Sequence, residues 1–274
     1  MIQLDVCIEA VFTSSPVEER IKQVARCGYD CIELWLHDAT FDGAGLNTAQ
    51  PKDPASLRQA CAEYGVTINN LVVNPPDDGT FGGTPSNSAT HAKYLERVEE
   101  VIQFAKSVNC TKAITCSGDL QPSLSRPQMR ANVEKALAAA TAIAEKHDFT
   151  LLLEPLNTHV DHKGYYLDSS AEAAELVRAI DSPNFRLLFD VYHMQIMEGN
   201  IIDSIRKHVD VIGHFHSAGV PGRGEHDRGE LNYPEIIKAI EDTGYQGVFG
   251  LEYFPKLADH AESLTRVRRH LLQL

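Results

Sequence analysis

The sequence of 274 residues has little of what marks several protein classes. Its six cysteines include no Cys-x-x-Cys pair, and a chain of this length buries enough surface to fold without disulfides or a structural metal. No run of about 18 apolar residues occurs, so no membrane-spanning helix is predicted. Met1–Ala10 has no basic segment ahead of a long apolar run. It therefore does not read as a signal peptide, and we expect a cytoplasmic protein with reduced cysteines.

Basic residues are also scarce relative to acidic ones. The 25 lysines and arginines face 38 aspartates and glutamates, which gives a formal net charge of −13. A protein that binds nucleic acid needs a basic face to release the counterions of the phosphates. We therefore expect no nucleic-acid partner and no polybasic contact with a membrane, and we expect a small-molecule ligand instead.

Short apolar runs recur along the chain at roughly 25–45-residue intervals. Each is apolar nearly throughout, as is typical of parallel strands that are buried on both faces. The eight runs are Leu4–Ile8, Cys31–Leu36, Ile68–Val73, Lys112–Cys116, Thr150–Leu153, Arg186–Phe189, Val211–His216 and Val248–Glu252.

Amphipathic segments with helical spacing alternate with these runs. The eight predicted helices are Val17–Arg26, Pro54–Tyr64, Ala89–Val108, Pro127–Lys146, Ala171–Ile180, Ile201–His208, Tyr233–Thr243 and Asp259–Leu272. An eightfold β/α alternation over a length near 250 residues favours a single (β/α)8 TIM-barrel domain spanning residues 1–274. An open doubly wound sheet is the alternative, but no glycine-rich phosphate loop follows the first run.

Two long segments, His37–Asp53 and Asn74–Asn87, carry neither pattern and are predicted to be irregular. Each follows a predicted strand. Loops after strands lie on the catalytic face of a barrel, so we expect these two to border the site, with surface decoration as the alternative.

Four residues of the metal-binding type stand at the ends of the last four apolar runs. They are Glu154, Asp190, His216 and Glu252. A carboxylate at the end of a buried strand is costly unless it is paired or metal-bound, and three converging carboxylates repel one another. A divalent cation relieves both problems, and this donor set suits Mn²⁺, Mg²⁺ or Co²⁺. Taken singly, each residue is equally consistent with a rim ion pair, a loop cap or a satisfied polar group.

The C-terminal half also carries specific motifs. The segments LEPLNT (153–158), FDVYHMQIMEG (189–199), VPGR (220–223), GELNYP (229–234) and GLEY (250–253) occur in this order. They resemble the hydroxypyruvate isomerase family of the xylose-isomerase-like (sugar phosphate isomerase/epimerase) TIM barrels. The N-terminal half resembles that family only in its β/α rhythm.

The resemblance implies roles for named residues. The metal would be held by Glu154, Asp190, His216 and Glu252, and the two glutamates would also transfer protons. His193 and Arg223 would contact substrate oxygens. Asn157, close to Glu154 in the chain, is a further candidate for substrate binding or for supporting that glutamate.

The implied reaction is isomerisation of a small keto acid, hydroxypyruvate to tartronate semialdehyde, through a cis-enediolate. The family has glutamine where this chain has His216, and histidine there resembles the related ketose 3-epimerases. Epimerisation of free sugars of the D-tagatose or D-psicose type is therefore the alternative. Outside this class stand a metal-dependent endonuclease-like hydrolase, which shares the barrel, and a non-catalytic sugar-binding barrel. The family resemblance also implies a dimer or a tetramer, so a homo-oligomer is expected.

Overall fold

The computed structural model describes residues 2–41, 46–73 and 83–274. The strands are β1 Gln3–Cys7, β2 Cys31–Trp35, β3 His37–Phe41, β4 Leu46–Pro51, β5 Thr67–Val72, β6 Lys112–Thr115, β7 Thr150–Leu153, β8 Phe185–Asp190, β9 Ile212–Ser217 and β10 Val248–Leu251. Eight of them pair in parallel and close in the order β1-β2-β5-β6-β7-β8-β9-β10. The predicted (β/α)8 barrel is thus confirmed, and each barrel strand overlaps its predicted apolar run.

The helices surround the barrel. They are α1 Val17–Arg26, α2 Pro54–Tyr64, α3 His91–Ser107, α4 Arg126–Lys146, α5 Ser170–Ile180, α6 Val191–Met197, α7 Ile201–His208, α8 Tyr233–Asp242 and α9 His260–Leu272. Local signals explain several ends. Asp53 caps the first backbone N–H groups of α2, and Gly65 ends that helix with φ 67°. The short helix α6 was not predicted, because seven residues are too few to show helical periodicity.

Side chains alternate between the barrel interior and the helical layer. Ile114, Leu152 and Leu188 form a small apolar cluster of their own, apart from the main core. In a strand of period two, the residues two positions further on face the same way. Glu154 and Asp190 stand two positions beyond Leu152 and Leu188, so they point into the mouth of the barrel. The same spacing of two applies to His216 in β9 and to Glu252 after β10.

One prediction about the loops was wrong. His37–Asp53 was expected to be irregular, but β3 and β4 pair there as a two-stranded antiparallel sheet. Such a ribbon is held by main-chain hydrogen bonds, and its sequence shows no apolar alternation that would reveal it. The second segment, Asn74–Asn87, lies outside the described residues up to position 82. Residues 83–87 form neither helix nor strand.

Two further expectations can be compared with the structure. All six cysteines are free thiols, and four of them are buried. Among residues 2–41, 46–73 and 83–274, no helix has both the length and the apolar character needed to cross a bilayer.

Candidate metal centre

The four predicted metal ligands meet at the carboxyl ends of their strands. Glu154 follows β7, Asp190 ends β8, His216 lies in β9 and Glu252 follows β10. Each offers one ligand atom, and these atoms lie within 4.8 Å of one another. The Nδ1 atom of His216 is 3.5 Å from Glu154 Oε1 and 3.6 Å from Glu252 Oε2. The structure therefore brings together residues that are nearly one hundred positions apart in the chain.

The donor set fits a divalent cation. Ions such as Mg²⁺ and Ca²⁺ bind their ligands at about 2.0–2.6 Å, so two ligands of one ion lie up to about 4–5 Å apart. His216 Nδ1 and Glu154 Oε1 are buried and have no hydrogen-bond partner within the protein. Unpartnered buried polar atoms are costly unless something else satisfies them. A cation among these atoms would satisfy both.

The pKa values of the three carboxyl groups reflect burial first and charged neighbours second. Burial, followed by the charge of Glu154, raises the pKa of Asp190 to about 7. Burial likewise raises the pKa of Glu154. Burial opposes the ionised form of Glu252 too, but the nearby Arg223 charge holds its pKa below the usual value. Three acidic groups share a space that favours fewer than three negative charges unless a cation compensates.

The two side-chain oxygens of Asp190 have different surroundings. Its Oδ1 accepts the backbone N–H groups of Tyr192 and His193, at 2.7 and 3.3 Å, and so caps α6. The other oxygen, Oδ2, stays available to the cluster. The sequence left open whether Asp190 is a cap or a metal ligand. The geometry allows both roles at once, because a carboxylate has two acceptor atoms.

His193 is held as a neutral hydrogen-bond donor. Its Nδ1 accepts the backbone N–H of Asn157 at 3.1 Å, so the ring proton lies on Nε2. That Nε2 is buried, has no hydrogen-bond partner within the protein and lies 3.5 Å from Asp190 Oδ2. Burial, followed by the charge of Arg223, lowers the pKa of His193 well below its usual value. The predicted substrate contact thus presents an N–H to the site.

Asn157 lies behind His193. Its side-chain amide is 2.7 Å from His193 Nδ1 and donates to Asp161 Oδ2 at 2.7 Å. The same Asp161 oxygen accepts the hydroxyl of Tyr192 at 2.7 Å. The network orients the imidazole of His193 toward the cluster. Asp161 and Tyr192 were missed in the sequence, because a loop and a short helix bring them together without a shared pattern.

Arg223 contacts both the side chain and the backbone of Glu252. Its guanidinium forms an ion pair with Glu252 Oε2, and its Nε donates to the backbone carbonyl of the same residue at 3.4 Å. The charge also stacks on Tyr192 and Phe254, 5.1 and 5.6 Å from the ring centroids. Although burial disfavours the charge, Glu252 and the other carboxylates raise the pKa of Arg223. The predicted substrate contact therefore also fixes the position of a predicted base.

Three further polar residues, Asp5, Glu33 and His214, lie buried inside the barrel behind the cluster. Glu33 Oε2 lies 2.9 Å from His216 Nε2 and 3.5 Å from His214 Nε2. Burial opposes its charge, but both histidines hold the pKa of Glu33 below the usual range. Sequence reasoning missed Glu33, although the signal was present: it is the one charged residue in the apolar run Cys31–Leu36.

Comparisons with known proteins show which family the chain resembles. Residues 21–270 match the family model described as xylose isomerase-like TIM barrel. A putative hydroxypyruvate isomerase of Homo sapiens is 30% identical over 264 residues, which cover 93% of this chain and 90% of that protein. Hydroxypyruvate isomerase of Escherichia coli is 28% identical, with 95% and 96% covered. A 2-oxo-tetronate isomerase of Cupriavidus necator is 30% identical, with 76% and 80% covered.

Solved structures show the same fold. A protein titled AP endonuclease, family 2, from Brucella melitensis superposes with a TM-score of 0.83 at 27% identity, covering 96% of this chain and 97% of that one. An L-ribulose 3-epimerase superposes with a TM-score of 0.81 at 20% identity, covering 100% and 95%. At that lower identity the likeness concerns the fold alone.

Proposed function

The chain belongs to the hydroxypyruvate isomerase family of the xylose isomerase-like TIM barrels, and from this premise we propose that it is a divalent-metal-dependent isomerase of a small keto acid. The proposed reaction converts hydroxypyruvate to tartronate semialdehyde. It moves the carbonyl from C2 to C3 of a three-carbon acid and consumes no other reactant.

The observation that carries the proposal is the convergence of Glu154, Asp190, His216 and Glu252 with unpartnered buried atoms among them. We propose that these four hold Mn²⁺, Mg²⁺ or Co²⁺, since oxygen-rich sets of this kind suit such ions. When bound, the ion would polarise the substrate carbonyl and stabilise negative charge on the oxygens of the enediolate.

The protein's own groups would then move the protons. One carboxylate of the Glu154–Glu252 pair removes a proton from C3 of hydroxypyruvate, which leaves a cis-enediolate across C2 and C3. The other glutamate returns a proton to C2. The C3 hydroxyl loses its proton as its oxygen becomes the aldehyde, and the C2 oxygen gains one. A positioned base of this kind contributes on the order of 10²–10⁴-fold.

His193 and Arg223 have distinct parts in the proposed reaction. The Nε2–H of His193 donates to a substrate oxygen, and because the ring is neutral it donates without adding positive charge. Arg223 orients Glu252 through their ion pair and contributes a permanent positive charge for the carboxylate of the substrate.

Epimerisation of a free ketose is the second candidate. It is favoured by His216, which replaces the glutamine expected in hydroxypyruvate isomerases, and by the guanidinium of Arg223, already engaged by Glu252. An uncharged sugar would not need a free arginine. The same glutamate pair would return the proton to the carbon from which it came, on the opposite face.

A substrate panel separates the two candidates. The chelator-treated protein is assayed with Mn²⁺, Mg²⁺ or Co²⁺ on hydroxypyruvate, 2-oxo-tetronate, D-psicose and D-tagatose. We expect turnover of a keto acid that chelator abolishes and added metal restores. Solvent deuterium should appear at C2 of the aldehyde product. Turnover of the ketoses alone would favour the epimerase, and activity that survives chelation would refute the metal site.

The remaining classes have their own tests. A phosphodiesterase activity on DNA with abasic sites, together with nearly three zinc ions per chain, would favour a hydrolase. Glu154→Gln and Glu252→Gln variants that retain full activity would favour a binding role for the site over a catalytic one.

A further inference from the structure

The imidazole of His216 has two different neighbours on its two nitrogens. Nδ1 faces Glu154 and Glu252, at 3.5 and 3.6 Å. Nε2 lies 2.9 Å from Glu33 Oε2 on the opposite side of the ring. A neutral imidazole carries one N–H. A histidine that binds a metal through Nδ1 must therefore keep its proton on Nε2, where Glu33 is in place to accept it.

Glu33 is held in this position by the barrel itself. It lies on β2, is 2% exposed, and reaches across the interior to β9. Its second oxygen, Oε1, has no hydrogen-bond partner within the protein. A buried carboxylate is costly, so its contacts with His216 at 2.9 Å and His214 at 3.5 Å must offset the cost of burial.

Gly250 makes room for this contact. A Cβ atom at position 250 would lie 2.7 Å from Glu33 Oε1, 2.8 Å from His216 Cδ2 and 2.9 Å from Asp5 Oδ1. All three distances are too short for a carbon atom, so any other residue would displace Glu33 or the ring of His216. Gly250 pairs directly with His216 in the β9–β10 register. The absence of a side chain there is thus required by the Glu33–His216 pair.

We propose that Glu33 is a positioning residue: it fixes the tautomer and the ring orientation of His216, so that Nδ1 faces the divalent ion. The inference rests on the proposed metal-dependent function and adds to it a residue on β2, outside the four predicted ligands. Glu33 acts only through His216. Loss of such an outer carboxylate lowers metal affinity by about 10–100-fold in other metal sites.

Calorimetric titration of Mn²⁺ tests the proposal. The metal-free wild-type protein should bind one Mn²⁺ per chain, and Glu33→Gln should bind it about 10–100-fold more weakly with the same stoichiometry. Gly250→Ala should weaken binding in the same direction, because its Cβ displaces the pair without removing a charge. The matched control is Glu9→Gln: Glu9 is as buried as Glu33 but forms its ion pairs with Arg20 and Lys52 instead of a histidine. Glu9→Gln should lose stability and keep wild-type affinity.

The Nε2 proton of His216 supplies a readout that a merely structural role would not move. In ¹⁵N spectra of histidine-labelled protein with Mg²⁺, His216 should carry its proton on Nε2 in the wild type. In metal-bound Glu33→Gln the proton should stay on Nε2, because Nδ1 is taken by the metal, but its ¹H signal should move upfield as the hydrogen bond to a carboxylate is replaced by a weaker one to an amide. The wild-type spectrum bears on the proposal even if every variant fails to fold, since a proton on Nδ1 there would overturn it.

Other outcomes distinguish a failure of the positioning role from a failure of the proposed metal-dependent function. Wild-type protein that binds no Mn²⁺ would refute the metal-dependent function and the positioning role together. Wild-type binding with unchanged affinity in a folded Glu33→Gln variant would refute the positioning role alone. A second bound Mn²⁺ that disappears in His214→Asn would also overturn it, because Glu33 and His214 would then be ligands of their own ion.

Discussion

The pH dependence of stability can be worked out for one buried histidine, His226, which follows β9. It is fully buried, its Nε2 is 2.9 Å from the hydroxyl of Ser217, and its ring packs on Tyr233 and Tyr253 at 4.7 and 5.2 Å between centroids. Burial lowers its pKa from 6.5 to about 3. The folded protein therefore keeps this ring neutral at pH values where the unfolded chain protonates it.

The sign follows from proton counts. Below pH 6.5 the unfolded state binds a proton that the folded state does not, so acidification favours unfolding. The cost approaches about 1.4 kcal/mol per pH unit well below pH 6.5, and it sums to about 2.3 kcal/mol from pH 6.5 to 4.5, because half of the unfolded chains already carry the proton at pH 6.5. The contribution is fully present above pH 6.5 and is lost as the pH falls. Other titratable groups also make the free energy of unfolding depend on pH, so a variant is needed to isolate the contribution of His226.

His226→Phe is that variant, because a phenyl ring suits the aromatic surroundings and does not titrate. Urea unfolding of both proteins at pH 4.5, 5.5 and 6.5 gives the free energy of unfolding at each pH. We expect His226→Phe to be about 1 kcal/mol less stable than the wild type at neutral pH, because it loses the hydrogen bond to Ser217. Between pH 6.5 and 4.5 its free energy of unfolding should fall by about 2.3 kcal/mol less than that of the wild type. His159→Asn, at an exposed loop position, is the matched control and should keep the wild-type slope. Equal slopes for the wild type and His226→Phe would refute the reasoning.

Three further predictions concern the candidate metal centre. Glu154→Gln and Glu252→Gln should each lower kcat by about 10²–10⁴-fold in metal-saturated steady-state assays; a loss confined to KM would argue against proton transfer by these groups. His193→Phe removes one N–H donor and should lower kcat by about 10²–10³-fold while Mn²⁺ affinity, measured by calorimetry, stays unchanged; a large loss of affinity would assign His193 to the metal instead. Asp190→Asn should keep the cap of α6, since asparagine caps as well as aspartate, yet weaken Mn²⁺ binding by about tenfold or more, as the loss of even an outer partner of a metal ligand does. The melting temperature of this variant should therefore be maintained while its affinity for Mn²⁺ falls. A lower melting temperature with unchanged affinity would mean that Asp190 is a helix cap and not a metal ligand.

Much of the barrel was predictable because its signals are local. Parallel strands buried on both faces are apolar runs of a few residues, and amphipathic helices show their own period, so the boundaries of α1, α2 and α7 were predicted to the residue. The antiparallel pair β3–β4 was not predictable in this way, because its sequence lacks the period-two apolar alternation by which such strands are predicted. The extent of the single domain, residues 1–274, stays a prediction.

The four candidate ligands could be named for a similar reason. Glu154, Asp190, His216 and Glu252 stand where apolar strands end, and in a parallel barrel all such ends meet on one face. The sequence by itself therefore determined which residues face one another across the mouth of the barrel. Family resemblance then assigned His193 and Arg223 to the same place.

Only the tertiary structure decided how these residues are held. Glu33 and His216 are 183 positions apart, and their contact depends on how the strands align when the barrel closes. The tautomer of His193 depends on the backbone N–H of Asn157, which no side-chain pattern encodes. Sequence periodicity records which side of its own strand or helix a residue occupies. Hydrogen bonds between distant elements depend on register and closure, and these are set by the packing of the whole barrel.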